Sequence, residues 1–116
     1  MSVYGYCRVS TGKQAEDGES LGVQERQIQG WCLMQGETLA ETFVERGVSG
    51  SVPVAKRPEG SRLMTLVKKG DTIVTPRLDR FFRSALDALQ TVEAAQRKGI
   101  RIVVIDALGD ITGNGM

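Results

Sequence analysis

Apolar residues dominate positions 2–9 (SVYGYCRV), and Val3, Tyr4 and Tyr6 favour a strand there, before Arg8 runs out toward a polar loop. Residues 11–19 follow as a polar, glycine-bearing loop. From Ser20 a helical period sets in. Leu21, Ile28, Trp31, Cys32 and Gln35 recur at spacings near 3.6 behind Ser20 as N-cap, predicting a helix to about Gly36. Residues 39–44 form a second short strand. The stretch 45–60, rich in Gly, Ser and Pro, reads as one long loop, and in a compact domain such a loop is often functional. A short helix over 62–69, stopped by Gly70, leads to a strand over 71–75 ended by Pro76. A helix over 84–98 should turn Leu86, Leu89 and Val92 inward and stop at Gly99. A strand over 101–105 and a glycine-rich tail over 106–116 complete the chain.

Strands separated by helices of these lengths predict an α/β fold: a mainly parallel sheet of four or five strands flanked by helices. Ligands of such sheets bind beyond the carboxyl ends of the strands, where the strand order reverses. Arg8, Ser10, Asp79, Arg80 and Arg83 follow the first and third strands, so they are expected to converge there. Arg80 and Arg83 should share a face at a helix start, and Asp79, four before Arg83, should hold its fork in place.

Composition narrows the chemistry. The 116 residues make one domain by length, with 41% apolar and 25% charged residues, ordinary values for a globular protein. No apolar run approaches the ~20 residues of a membrane span, and the N-terminus lacks a signal-peptide pattern. The cytoplasm is the expected compartment. The chain has no histidine and two cysteines, Cys7 and Cys32, so the usual zinc sites and a Ser-His-Asp triad cannot be assembled. Net charge is +1, which by itself gives no hint of nucleic acid.

The stretch 4–14 (YGYCRVSTGKQ) concentrates candidate chemistry, and three readings compete. A phosphatase-like cysteine loop needs an arginine after five intervening residues, and Lys13 stands there. A cysteine inside a strand usually packs as a small hydrophobe. A P-loop would need glycine at position 7 and Ser or Thr at 14, where Cys7 and Gln14 stand. A serine nucleophile remains, without a histidine to accept its proton. Guanidiniums can assist it differently, because several arginines around one phosphate stabilise the charge that builds in the transition state. The alternative is bland: a solvated arginine face and a turn serine.

The blocks Tyr6-Cys7-Arg8-Val9-Ser10-Thr11 with Gln14, Ser20-Leu21-Gly22-Val23-Gln24, Gly47-Val48-Ser49-Gly50, Arg57-Pro58 and Leu78-Asp79-Arg80-Phe81-Phe82-Arg83-Ser84 resemble, in order, those of the serine recombinases, the resolvase and invertase family. The resemblance implies a resolvase-type catalytic domain with a flavodoxin-like three-layer arrangement over residues 1–116. It implies Ser10 as nucleophile, Arg8 as the adjacent phosphate-binding arginine, and Asp79, Arg80 and Arg83 as the second catalytic block. Gln14, Gln24 and Arg57 are implied as phosphate-binding or supporting residues. Phe81-Phe82 departs from the smaller pair common in relatives, and Cys7 sits where relatives are small.

The implied reaction is DNA strand cleavage and rejoining through a 5′-phosphoserine, with no metal and no cofactor. The implied partners are double-stranded DNA and, in the full-length protein, a homodimer and homotetramer, with no membrane. On this reading the chain precedes a long dimerisation helix and a C-terminal DNA-binding domain, and the fragment alone recombines little. Resolution, inversion and integration fit these residues equally. The rival is a catalytically silent DNA- or protein-binding fragment of the same fold.

Overall fold

The computed structural model describes residues 1–9 and 20–106, and the backbone of 109–110. The expected loop over 11–19, with Ser10 and Gln14, and the glycine-rich end of the tail lie outside the described residues. The elements are β1 (Val3–Val9), α1 (Leu21–Gln35), β2 (Leu39–Arg46), a 3-10 turn (Val54–Lys56), α2 (Pro58–Leu66), β3 (Thr72–Thr75), α3 (Leu78–Phe81), α4 (Ala85–Lys98), β4 (Arg101–Val104) and β5 (Gly109–Asp110). The sheet runs β2-β1-β3-β4-β5. Its first four strands are parallel, and β5 pairs antiparallel to β4.

Strand order reverses between β1 and β3, because the chain crosses from β1 to β2 on one side and then back over β1. Right-handed crossovers running in opposite directions put their helices on opposite faces. Two cores result. Val3, Cys7, Val74 and Val103 pack against Ile28 and Cys32 of α1. Tyr6, Ile73, Ile102 and Val104 face the other way, onto Leu63 of α2, Phe81 of α3 and Ala88 and Ala95 of α4. The period-two alternation of each strand thus feeds both layers, and β3 is buried along its whole length.

The Ser20 cap and the stops at Gly36 and Gly99 fall where expected, and Ser84, expected as the first helical residue, is the N-cap. The Ser20 hydroxyl accepts from Val23 N, and Gly36 closes α1 at φ 69. Ser84 accepts from Asp87 N, and Gly99 closes α4 at φ 74. Two other expectations are corrected. The segment 45–60 is not one loop: β2 continues to Arg46, and α2 begins at Pro58 rather than Arg62 and ends at Leu66. Proline suits the first helical position, and the buried Glu45 carboxylate accepts from Glu59 N at 3.0 Å and Gly60 N at 2.9 Å, a cap supplied by another strand. The helix stops before Gly70 because Asp71 Oδ2 captures Lys68 N in a turn.

The second correction concerns α4. Leu86 and Leu89 are 63% and 70% exposed, whereas Ala88 and Ala95 are buried and Val92 packs beside them. At about 100° per residue, the stripe 88, 92, 95 lies on one side and Leu89 a quarter-turn away. Alanines let the helix sit close to the sheet, so the bulky leucines fall outside the contact.

Candidate active site

Arg8 is the penultimate residue of β1 and is buried at that strand's carboxyl end. Its main chain is held by Gln24, which is also fully buried on α1. The Gln24 carboxamide accepts from Arg8 N and donates to Arg8 O, both at 3.2 Å. β1 pairs with β3 only as far as Gly5 and with β2 throughout, so this carboxamide continues the pairing where β3 no longer does. Gln24 therefore acts on the backbone of Arg8.

The Arg8 guanidinium ties β1 to two other segments. Nη1 donates to Val48 O at 2.9 Å, Nη2 to Asp79 O at 3.0 Å and Nε to Arg80 O at 3.3 Å. Gly50 makes room for it: a Cβ there would stand 2.9 Å from Arg8 Nη2. Arg57, fully buried, donates to the same Arg80 carbonyl at 2.8 Å, and Arg80 itself is buried. Arg80 Nε has no hydrogen-bond partner among the described residues. Burial, then the like charges of Arg57 and Arg80, hold the Arg8 guanidinium below its usual range.

This places Arg8, Arg57 and Arg80 in one cationic cluster at the β1/β3 switch point. Asp79 and Arg83 are elsewhere. Asp79 contributes its carbonyl to Arg8, but its exposed carboxylate pairs with Arg77 at 3.4 Å. Arg83 is exposed and pairs with Asp87 at 3.8 Å, so Asp79 does not hold it. Arg80 and Arg83 also fail to share a helix face, because α3 ends at Phe81. Asp79 and Arg83 instead line a cleft of about 240 Å³ with Arg77, Ser84 and Asp106.

Two site-supporting residues escape a reading of the sequence: Tyr6 and Glu45. Tyr6 Oη accepts from Arg57 Nη1 at 3.0 Å and donates to Glu45 Oε1 at 3.0 Å. Burial pushes the Tyr6 phenol well up, outweighing the opposing pull of Arg57. The one signal available was a glutamate in register with Phe43 in β2, a charge on a core-facing position. Cys7 packs on the opposite face. Burial, with Glu25 as a lesser cause, pushes its thiol up to about 12, which suits a packed thiol and not a thiolate nucleophile.

A doubly wound sheet with a buried arginine cluster at its switch point defines an α/β domain that concentrates positive charge beyond the carboxyl ends of its strands. Residues 3–115 match the family described as Resolvase, N terminal domain, and the chain belongs to that family. It is 32% identical over 109 residues to the Transposon Tn2501 resolvase of Escherichia coli, covering 94% of this chain and 52% of that protein. Serine recombinase PinR of Escherichia coli K12 is also 32% identical over 109 residues, with 94% of this chain and 51% of that protein covered. The chain thus spans about half the length of these curated relatives. The N-terminal catalytic domain of TP901-1 integrase superposes with a TM-score of 0.86 at 29% identity, covering 98% of this chain and 85% of that one.

Proposed function

We propose that this chain is the catalytic domain of a serine site-specific recombinase that cleaves and rejoins double-stranded DNA. The observation that carries the reading is the cluster of Arg8 and Arg80 at the carboxyl ends of β1 and β3, buried and rich in main-chain anchoring. Ser10 follows Val9, the last residue of β1, in sequence. In the proposed step Ser10 Oγ attacks a phosphodiester, its proton leaves, and the P–O3′ bond breaks. The products are a 5′-phosphoserine and a 3′ hydroxyl that has taken up a proton. One ester replaces another, so the reverse attack by a 3′ hydroxyl reseals exchanged strands without an external energy source.

Arg8 and Arg80 are the proposed stabilisers of charge on the transferring phosphoryl group. Removing one preorganised donor of this kind costs about 3 kcal/mol, roughly 10²–10³ in rate. Arg83 and Asp79 line the adjoining cleft, where Arg83 meets the DNA backbone by exchanging the Asp87 carboxylate for phosphate. Gln24 supports Arg8 through its main chain, and Gln14 is assigned to the same site by its place in the family motif. In the longer protein we assign dimer and tetramer formation and sequence reading to segments outside residues 1–116. Among the described residues no helix is long and apolar enough to cross a membrane.

The test is covalent trapping on a nicked suicide duplex carrying the recombination site of the parent protein. Wild type should form a protein–DNA adduct and Ser10→Ala should form none. An adduct that survives Ser10→Ala and disappears with Cys7→Ser would refute the assignment.

A further inference from the structure

Arg57 is the largest fully buried side chain among the described residues, and a cation so placed is costly unless its donors are matched. They are matched inside the protein. Nε donates to Val52 O at 2.8 Å and Nη2 to Gly50 O at 3.3 Å. Nη1 donates to both Tyr6 Oη and Arg80 O. Each nitrogen of the fork is thus engaged and no part of Arg57 reaches solvent, whereas Arg8 and Arg80 keep 5% and 7% exposure, so a phosphate could reach Arg57 only after the 50–52 segment had been lifted away. Arg80 differs: its Nε is a buried donor with no partner among the described residues.

The main chain of Arg57 is equally committed. It is the N-cap residue of α2, extended at φ -81 and ψ 146, the conformation that the following Pro58 favours. Its carbonyl accepts from Ser61 N at 2.7 Å. The turn before it is pressed onto α2, since a Cβ on Gly60 would stand 2.1 Å from Val54 O. From the other side Tyr6 ties the guanidinium to Glu45, which caps the same helix. Arg57 is therefore held directly by β1 and α2, and through Tyr6 by β2, and it passes that placement to the Arg80 carbonyl, which Arg8 also grips.

We infer that Arg57 is a positioning residue and not a phosphate ligand: it fixes the main chain of Arg80 and seats segment 50–52, so that the Arg80 side chain is presented to the phosphate. This rests on the proposed assignment of Arg80 to the phosphate, and of the two roles the family resemblance left open for Arg57, phosphate-binding or supporting, it selects the second.

The Nε–H signals of the arginines in the 116-residue chain, followed by nitrogen-15 NMR, test it with inorganic phosphate as the probe. Titration should shift Arg80 Nε and leave Arg57 Nε unshifted and slow to exchange with water. In the absence of phosphate, Arg57→Lys and Arg57→Met should each displace the Arg80 Nε signal. They should also speed amide exchange at 50–52 by about tenfold or more, with no rescue by lysine, whose single ammonium cannot bridge these carbonyls. An Arg57 signal that moves with Arg80 on adding phosphate would overturn the inference while supporting the phosphate site. Arg80 unmoved in both Arg57 variants would overturn it too. Silence of every arginine toward phosphate would remove the phosphate site, and the inference with it. The titration uses the unaltered chain, so a variant that fails to fold does not spare the idea.

Discussion

Replacing Glu45 by glutamine should uncouple the site from its scaffold at nearly constant volume. In the wild type Oε1 accepts from Tyr6 Oη and Gly60 N, and Oε2 accepts from Glu59 N at 3.0 Å. A carboxamide can keep the two bonds to its oxygen, but its NH₂ then faces the Glu59 N–H, donor against donor. An orphaned buried donor costs about 1–3 kcal/mol. Losing a negative charge at a helix N-terminus adds about 0.3–1 kcal/mol. The sum is roughly 1–4 kcal/mol, against the ~5–15 kcal/mol that holds a domain folded. Urea unfolding followed by the single tryptophan, Trp31, which packs against the core under α1, reads it directly. The midpoint should fall by about 1–2 M with an unchanged slope. A double-mutant cycle of Tyr6→Phe with Glu45→Ala, which unlike glutamine removes the shared bond, should show coupling above about 0.5 kcal/mol. A loss below about 1 kcal/mol, or strict additivity with Tyr6→Phe, would refute the network.

Gly60→Ala should destabilise by about 3 kcal/mol, since its methyl would have to displace the Val54 main chain and not merely a side chain; thermal unfolding that shows no loss would contradict the close packing. Leu86→Lys and Leu89→Gln should each stay within about 0.5 kcal/mol of wild type in the same urea assay, and a loss of core-residue size would put those leucines inside after all. For Cys7 the pKa is raised in the folded state, so the stability it lends is intact below the ordinary thiol value of about 8.5 and is lost as pH rises toward about 12. Cys7→Ala should therefore flatten the alkaline decline in stability. At pH 8 iodoacetamide should label Cys7 only through unfolding; labelling at the rate of an exposed thiol would revive a reactive cysteine.

The arginine cluster also shows how a net charge of +1 can conceal a strongly cationic site. Arg8, Arg57 and Arg80 are concentrated in one buried volume, while Arg62, Arg77, Arg83 and Arg97 are engaged with surface carboxylates. Total charge sums over both groups and conceals the difference. Local field, not net charge, is what an incoming phosphate meets.

Much of this protein is legible in one dimension. Strand and helix periods, the serine cap at Ser20, and the stops at Gly36 and Gly99 all report on contacts within a few residues, which sequence spacing encodes. Strands separated by helices foretold a mainly parallel sheet flanked by helices, and the switch-point rule brought Arg8 and Arg80 together. What the tertiary structure alone decided involves partners far apart in the chain. Glu45 caps α2 from a neighbouring strand, a partner that no local pattern shows, so the one local mark of the start was Pro58 itself, suited to the first helical position. Alanine against leucine on α4 was settled by how closely that helix approaches the sheet. Asp79 pairs with Arg77 and Arg83 with Asp87, because α3 ends after a single turn and the i, i+4 geometry is broken. Arg57 became an internal strut for the same reason: its donors are met by the carbonyls of Gly50, Val52 and Arg80 and by the hydroxyl of Tyr6, a set that only the folded chain assembles.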